Sequence, residues 1–171
     1  MWDKIESLTR DHPERTRTAK TILQNGLAIR GERIYLNQIE VPVLRVAQAA
    51  GVDRRTVMET VRMINKNPEI KSIFSNLESA GFSLRKVARF LGLGVVEITA
   101  DDPHKVGILA GAARLLAEAG INVRQALVGD PDIEPDPKLV LIAQDRIPGS
   151  VIQEMLKING IAKVTVYWKA S

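Results

Sequence analysis

VVEITADDPHKVGILAGAARLLAEAGINV, residues 95–123, changes rhythm twice, and that change sets the fold of the second half of the chain. VVEITA (95–100) alternates with the period of a strand, and GILAGAARLLAEAG (107–120) carries its apolar residues at helical spacing. INVRQALVG (121–129) is extended again. GDPDIEPDP (129–137), with three prolines and four acids, has to be a loop. KLVLIAQ (138–144) is then extended, GSVIQEMLKING (149–160) helical, and AKVTVYW (162–168) alternates. The order β-α-β-β-α-β is that of a split βαβ, ferredoxin-like sandwich, with two helices on one face of an antiparallel sheet. The alternation puts Val96, Ile98, Ala100, Val164, Val166 and Trp168 inward, with Glu97, Thr99, Thr165 and Tyr167 on the other face. INVRQALVG is an edge strand in this topology.

The first half is written in helical periods. HPERTRTAKTILQNGLAI (12–29) aligns Ala19, Ile22, Leu23 and Leu27 on one stripe, ringed by Arg15, Arg17 and Lys20, and Pro13 suits a first turn. A turn containing Gly31 and one extended segment, IYLNQIEVP (34–42), follow. VLRVAQAAGVDRRTVMETVRMI (43–64) fits a helix-turn-helix. Ala47 stands where the helices cross, Gly51 in the turn, and Val46, Ala50, Val52, Val57 and Val61 at buried positions. Asp53 caps the second helix, which turns Arg54, Arg55, Met58, Glu59 and Arg62 outward. Arg54, Arg55, Met58 and Arg62 are the candidate contacts to double-stranded DNA, the first two lying where a recognition helix meets base edges. The alternative is a helical hairpin in an ordinary bundle, its arginines solvated.

RVAQAAGV (45–52) is echoed by KVARFLGL (86–93), yet a strand follows the second copy directly. SLRKVARFLG (83–92) is therefore expected as a linker helix packed by Val87, Phe90 and Leu91, with Arg85, Lys86 and Arg89 solvated or touching phosphate. The expected organisation is α+β: a helical helix-turn-helix domain over 1–82, a linker over 83–94, and the βαββαβ domain over 95–171. Charge follows the same division, with 16 Lys/Arg against 10 Asp/Glu in 1–94 and 8 against 10 in 95–171. Such a split is expected of a half that meets a polyanion, although uneven surface charge also produces it.

The 171 residues include no cysteine, which excludes disulfides, thiolate metal sites and cysteine nucleophiles, and fits a reducing cytoplasm. Met1–Arg10 lacks the apolar core of a signal peptide, and no uncharged apolar run reaches membrane-spanning length, so a cytoplasmic protein without a membrane partner is expected. GxSxG, HExxH, GxxxxGK[ST] and GxGxxG are all absent. No catalytic residue, metal or cofactor is expected, and an enzyme built on His104 and the paired aspartates is the weakest alternative. The acidic loop Asp130, Asp132, Glu134, Asp136 lacks the mid-loop glycine of a calcium site and has Pro135 instead.

A helix beginning near Gly107 offers free N–H groups to a carboxylate. Asp101 or Asp102 suits an ammonium group, and Asn122 opens the next strand. Together they describe a site for a free amino acid, or equally a capping loop that binds nothing. This stretch, with the two strands, helix and strand after it, resembles the ACT domain over 95–168, a regulatory module that commonly binds amino acids. The whole chain resembles predicted archaeal regulators of amino-acid metabolism that join a helix-turn-helix to an ACT domain. In ACT domains the loop after the first strand runs Asp-x-Pro-Gly and contacts ligand; here Asp102 and Pro103 stand in it, with His104, Lys105 and Val106 before Gly107. The resemblance implies ligand contacts from Asp101, Asp102, Pro103, His104, Gly107, Ile108 and Asn122, a small-molecule effector such as an amino acid, and at least a homodimer. The function expected is a DNA-binding transcriptional regulator whose effector modulates DNA affinity. A non-catalytic regulatory subunit that docks on a partner protein is the alternative.

Overall fold

A computed structural model describes residues 2–167; Met1 and residues 168–171 lie outside, and with them the inward position expected of Trp168. The protein is α+β and divides into two compact units, residues 1–81 and 82–171.

The first unit contains α1 (Trp2–Thr9), α2 (Pro13–Gln24), β1 (Leu27–Arg30), β2 (Arg33–Leu36), β3 (Ile39–Val41), α3 (Val43–Ala50), α4 (Arg54–Lys66) and α5 (Pro68–Ser75). Pro13 opens α2, where its missing N–H costs nothing. Helices α2, α3 and α4 pack against one another and bury Ala19, Ile22, Leu23, Val46, Ala47, Ala50, Val57, Val61 and Ile64. Thr18 and Thr60, also buried, satisfy their hydroxyls on the carbonyls of Glu14 and Thr56 one turn back.

Two expectations are corrected here. The helix stops at Gln24 rather than running to residue 29, and Leu27 is buried in a strand. The helix ends in a left-handed glycine: Gly26 follows the C-cap Asn25 with φ 59°, and a Cβ there would also lie 2.8 Å from Glu78 O and Ser79 Cα. Beyond it, not one extended segment but a three-stranded antiparallel sheet forms, in the order β1-β2-β3. Its two-residue turns are Gly31–Glu32 and Asn37–Gln38. The periods of LAIR and RIYL are too short to separate a strand from a helical turn.

The second unit contains β4 (Gly94–Ala100), α6 (Ile108–Glu118), β5 (Val123–Val128), β6 (Leu139–Ala143), α7 (Gly149–Leu156) and β7 (Ile161–Tyr167), and its sheet runs β5-β6-β4-β7 with every pair antiparallel. Residues 129–137 hold no helix or strand, as their prolines require. Val96 and Ile98 meet Ile108, Ala112 and Leu116 of α6 and Val151 and Met155 of α7 in one core, with Ala100, Val164 and Val166 packed against it. Within the described residues, the inward set read from the alternation, Val96, Ile98, Ala100, Val164 and Val166, is the set observed.

The opposite face is in part covered. Val95, Val140 and Ile142 form a second cluster with Ala88 and Leu93, flanked by Leu84 and Leu127. The segment that covers them is not the expected linker helix. Residues 83–92 hold only turns and one 3-10 turn, Ala88–Phe90, and Val87, Phe90 and Leu91 are 43%, 73% and 59% exposed. The segment is fastened instead to the sheet. Gln125 of β5 accepts from Leu84 N at 2.9 Å and donates to Phe82 O at 2.6 Å, while Arg85 pairs with Glu97. A continuous helix would keep Leu84 and Ala88 on one face but carry Leu93 to the opposite one, whereas turns bring all three down together. Residues 82–94 thus belong to the second unit, and the charge asymmetry shrinks. Residues 1–81 hold 13 Lys/Arg against 10 Asp/Glu, and residues 82–171 hold 11 against 10.

Glu97 is only 4% exposed, and its partners are Arg85 and the Tyr167 hydroxyl, which donates at 3.5 Å. A buried carboxylate that loses its cation keeps its desolvation cost. Arg85→Ala is expected to lower unfolding free energy by about 2 kcal/mol. Adding Glu97→Gln to it should recover part of that loss, both read by chemical denaturation.

Candidate nucleic-acid interface and ligand cavity

Helix α3 ends at Gly51, whose φ of 64° lies in the left-handed region where a side chain is strained. Val52 N then donates back to Ala47 O at 3.0 Å, and the chain leaves in a new direction. Asp53 Oδ1 accepts from Thr56 N at 2.8 Å and starts α4. The crossing, turn and cap residues named from the sequence hold these places. Val46, Ala50, Val57 and Val61 are buried, but Val52 is only half-buried.

On α4, Arg54, Arg55 and Arg62 are exposed, whereas Met58 is half-buried. The three arginines are not equivalent. Arg55 Nε lies 3.0 Å from Glu59 Oε1, and Arg62 Nε lies 3.0 Å from Glu32 Oε1. Glu59 also takes Arg15 Nη2 of α2 at 2.9 Å on its other oxygen, so one carboxylate ties two helices. Among the described residues Arg54 has no acidic partner; it is a cation of this face ready for another anion. An open groove of about 630 Å³ adjoins the face, lined by residues that include Leu8, Arg15, Arg62 and Lys66. Sequence reading missed Arg15 and Glu32 as members of this surface. Glu59 to Arg55 is a legible i−4 pairing, but the other two pairs span 44 and 30 residues.

The hydrogen bond from Arg15, then that from Arg55, holds the Glu59 carboxyl below the ordinary glutamate value. A carboxylate whose folded pKa is depressed stabilises the fold above its unfolded value, and that contribution is lost as pH falls through the folded value. The melting-temperature difference between the wild type and Glu59→Gln should therefore be full at neutral pH. It should begin to shrink only below about pH 4.3, the unperturbed glutamate value, and vanish in stronger acid. A difference that does not change between pH 7 and pH 3 contradicts the bridge.

In the second unit a cavity of about 170 Å³ opens at the N-terminus of α6. Of the residues expected to hold a ligand, Pro103, Gly107 and Ile108 line it. Gly107 has φ 93°, and space around its Cα is open, so the backbone and not packing demands glycine there. The remaining expected residues are not on its wall. Asp102 Oδ1 accepts from His104 N at 2.9 Å in a local turn, Asp101 N donates to Gly160 O, and both aspartates and His104 are exposed. Asn122 lies at the other end of the sheet. β5 starts beside Ala143 and reaches the cavity only at Val128, about 17 Å on by strand rise. A βαβ unit returns its second strand from the far end, which sequence proximity conceals.

The cavity wall is largely apolar, from Ile98, Ala100, Val128 and Leu139, and two cations that sequence reading missed lie on it, Lys105 and Lys138. Lys105 Nζ donates to Asn159 Oδ1 at 2.8 Å. Lys138 pairs with Asp136 at 2.9 Å, and that hydrogen bond raises its pKa above the ordinary lysine value. Val128, Leu139 and Lys138 become neighbours only through the β5–β6 pairing, whose register the acidic loop hides. The volume lies below the roughly 300–1,000 Å³ of pockets for drug-sized ligands; it suits a small molecule with an apolar body and an anionic end. Among the described residues no three His, Asp or Glu side chains converge as metal ligands do, and no helix is long and apolar enough to cross a membrane.

No known protein-family profile matches the chain, and no curated protein is significantly similar to it.

Proposed function

We propose that the protein is a DNA-binding transcriptional regulator, the first unit a helix-turn-helix domain and the second a ferredoxin-like, ACT-like domain that senses a small effector such as an amino acid. The observation that carries this is the α3–turn–α4 pair: a left-handed Gly51, a side-chain cap from Asp53, and, in the first turn of α4, an exposed Arg54 without an acidic partner among the described residues. Helices presented this way enter the major groove by their N-terminal residues, and arginine matches guanine with two hydrogen bonds.

The sensor half of the proposal draws on the strand order β5-β6-β4-β7 and on the cavity beside Gly107. Its contact set is narrowed to Pro103, Gly107 and Ile108, joined by Lys105 and Lys138. Strand β5 is an edge, and pairing there would give the homodimer that a two-fold operator requires. Effector and DNA binding then affect one another by the same factor.

A second reading has an observation of its own. Arg55 and Arg62 are already held by carboxylates, as on a face that docks a protein rather than phosphate. Salt separates the two, because phosphate contacts make affinity fall steeply with ionic strength. In fluorescence anisotropy with duplex DNA, affinity should drop steeply as salt rises, and Arg54→Ala should weaken binding about 10-fold, within the range for one lost bidentate base contact. A wild-type protein that ignores duplex DNA at low salt removes this proposal and leaves the docking subunit. For the sensor, a thermal-shift screen of the twenty amino acids should raise the melting temperature with one or a few of them, and Gly107→Leu should abolish the shift.

A further inference from the structure

We infer that the β1–β2 turn is a second contact with duplex DNA, in which Arg30 and Arg33 take phosphates at the edge of the groove that α4 enters. This rests on α4 being the DNA-contacting helix, and it adds an element outside the helical pair.

The turn is fixed to the outward face of α4. Asn65 Nδ2 donates to Gly31 O at 2.7 Å, and Arg62 pairs with Glu32 at 3.0 Å, so both turn residues are tied to one helix. Arg62 and Asn65 follow Arg54 by eight and eleven residues, which at 1.5 Å per residue is about 12–16 Å along the axis. The major groove is about 12 Å wide. With Arg54 at base edges, an element held that far along the same face stands over the flanking backbone.

The two arginines are badly placed for the sheet alone. Arg30 and Arg33 are partners directly across the strands, so their side chains leave the same face. Like charges in that position destabilise a hairpin. The sheet mitigates the repulsion without removing either charge: Arg30 lies over the Tyr35 ring, 5.0 Å from its centroid, and Arg33 meets Glu40 at 3.1 Å. Both arginines are exposed. An exposed pair such as Arg33–Glu40 is worth little, and phosphate can replace the carboxylate. A pair of arginines opposed at the closing position of a turn is what a polyanion rewards and an isolated hairpin does not.

The test is a salt series with a fluorescein-labelled random-sequence duplex of about 30 base pairs, from roughly 50 to 200 mM, on the full chain. The proteins compared are the wild type, the double variant Arg30→Ala/Arg33→Ala, the double variant Arg30→Lys/Arg33→Lys, and Arg54→Ala. Each neutralised phosphate contributes about 0.9 to the slope of log affinity against log salt. The alanine pair should flatten the slope by about 1.8, so the advantage of the wild type over it shrinks about 12-fold across the series. The lysine pair should restore the slope, showing that charge and not the fold of the hairpin is responsible. A slope unchanged in the alanine pair, while Arg54→Ala still weakens binding, overturns this inference and leaves α4 as the reader. A wild type that does not bind the duplex at 50 mM salt overturns the reading beneath it as well.

Discussion

Strand β4 is buried on both faces, and the second unit is organised around that constraint. One face receives α6 and α7 through Val96 and Ile98, and the other receives residues 84–93 through Val95. A central strand enclosed in this way has to be apolar on both sides or pair whatever polar group it carries. Glu97 is the exception, and Arg85 is its answer. The segment that brings Arg85 therefore cannot be an independent linker; its turns are dictated by the need to reach the sheet, and Gln125 substitutes for the strand hydrogen bonds that these turns do not make.

The first unit sets a competition between charges of its own chain and charges from outside. Glu59 holds Arg15 and Arg55, and Glu32 holds Arg62, all at exposed or half-exposed positions where such pairs are weak and salt-sensitive. Intramolecular carboxylates order the guanidinium groups and reduce the net charge of the face. A polyanion has to displace them, which makes its grip depend on geometry as well as on charge. Arg54, outside these pairs, meets a ligand without that exchange.

The parts of the fold legible in the sequence are those with long periods and local signals. β4, α6, β6, α7 and β7 follow from alternation or helical spacing, and the cap at Asp53 and the turn at Gly51 follow from residue type. What failed depended on distant partners. Gly26 ends its helix by turning left-handed after Asn25, and it has to stay a glycine because Glu78 and Ser79 pass beside it, a contact 52 residues away that no local pattern announces. The helical pattern of 83–92 was overridden by the apolar back of β4, toward which Leu84, Ala88 and Leu93 turn instead. The cavity was half legible: Pro103, Gly107 and Ile108 were visible as a loop before a helix, while Lys138 and Val128 reach it only through the β5–β6 register, and Asn122 was misplaced by ignoring the direction in which the strand returns.

Two clips bracket a stretch without regular structure. Asn37 Oδ1 accepts from Ser79 N at 3.1 Å at one end, and Gln125 grips Phe82 and Leu84 at the other. Between them only Ala80 and Gly81 have neither strand nor helix nor side-chain anchor. A protease needs several residues in extended form, so it is offered a window only when one clip opens. The rate of cleavage there measures the opening of Gln125 or Asn37, so the exposure of this stretch is set by single amide side chains rather than by the loss of a core.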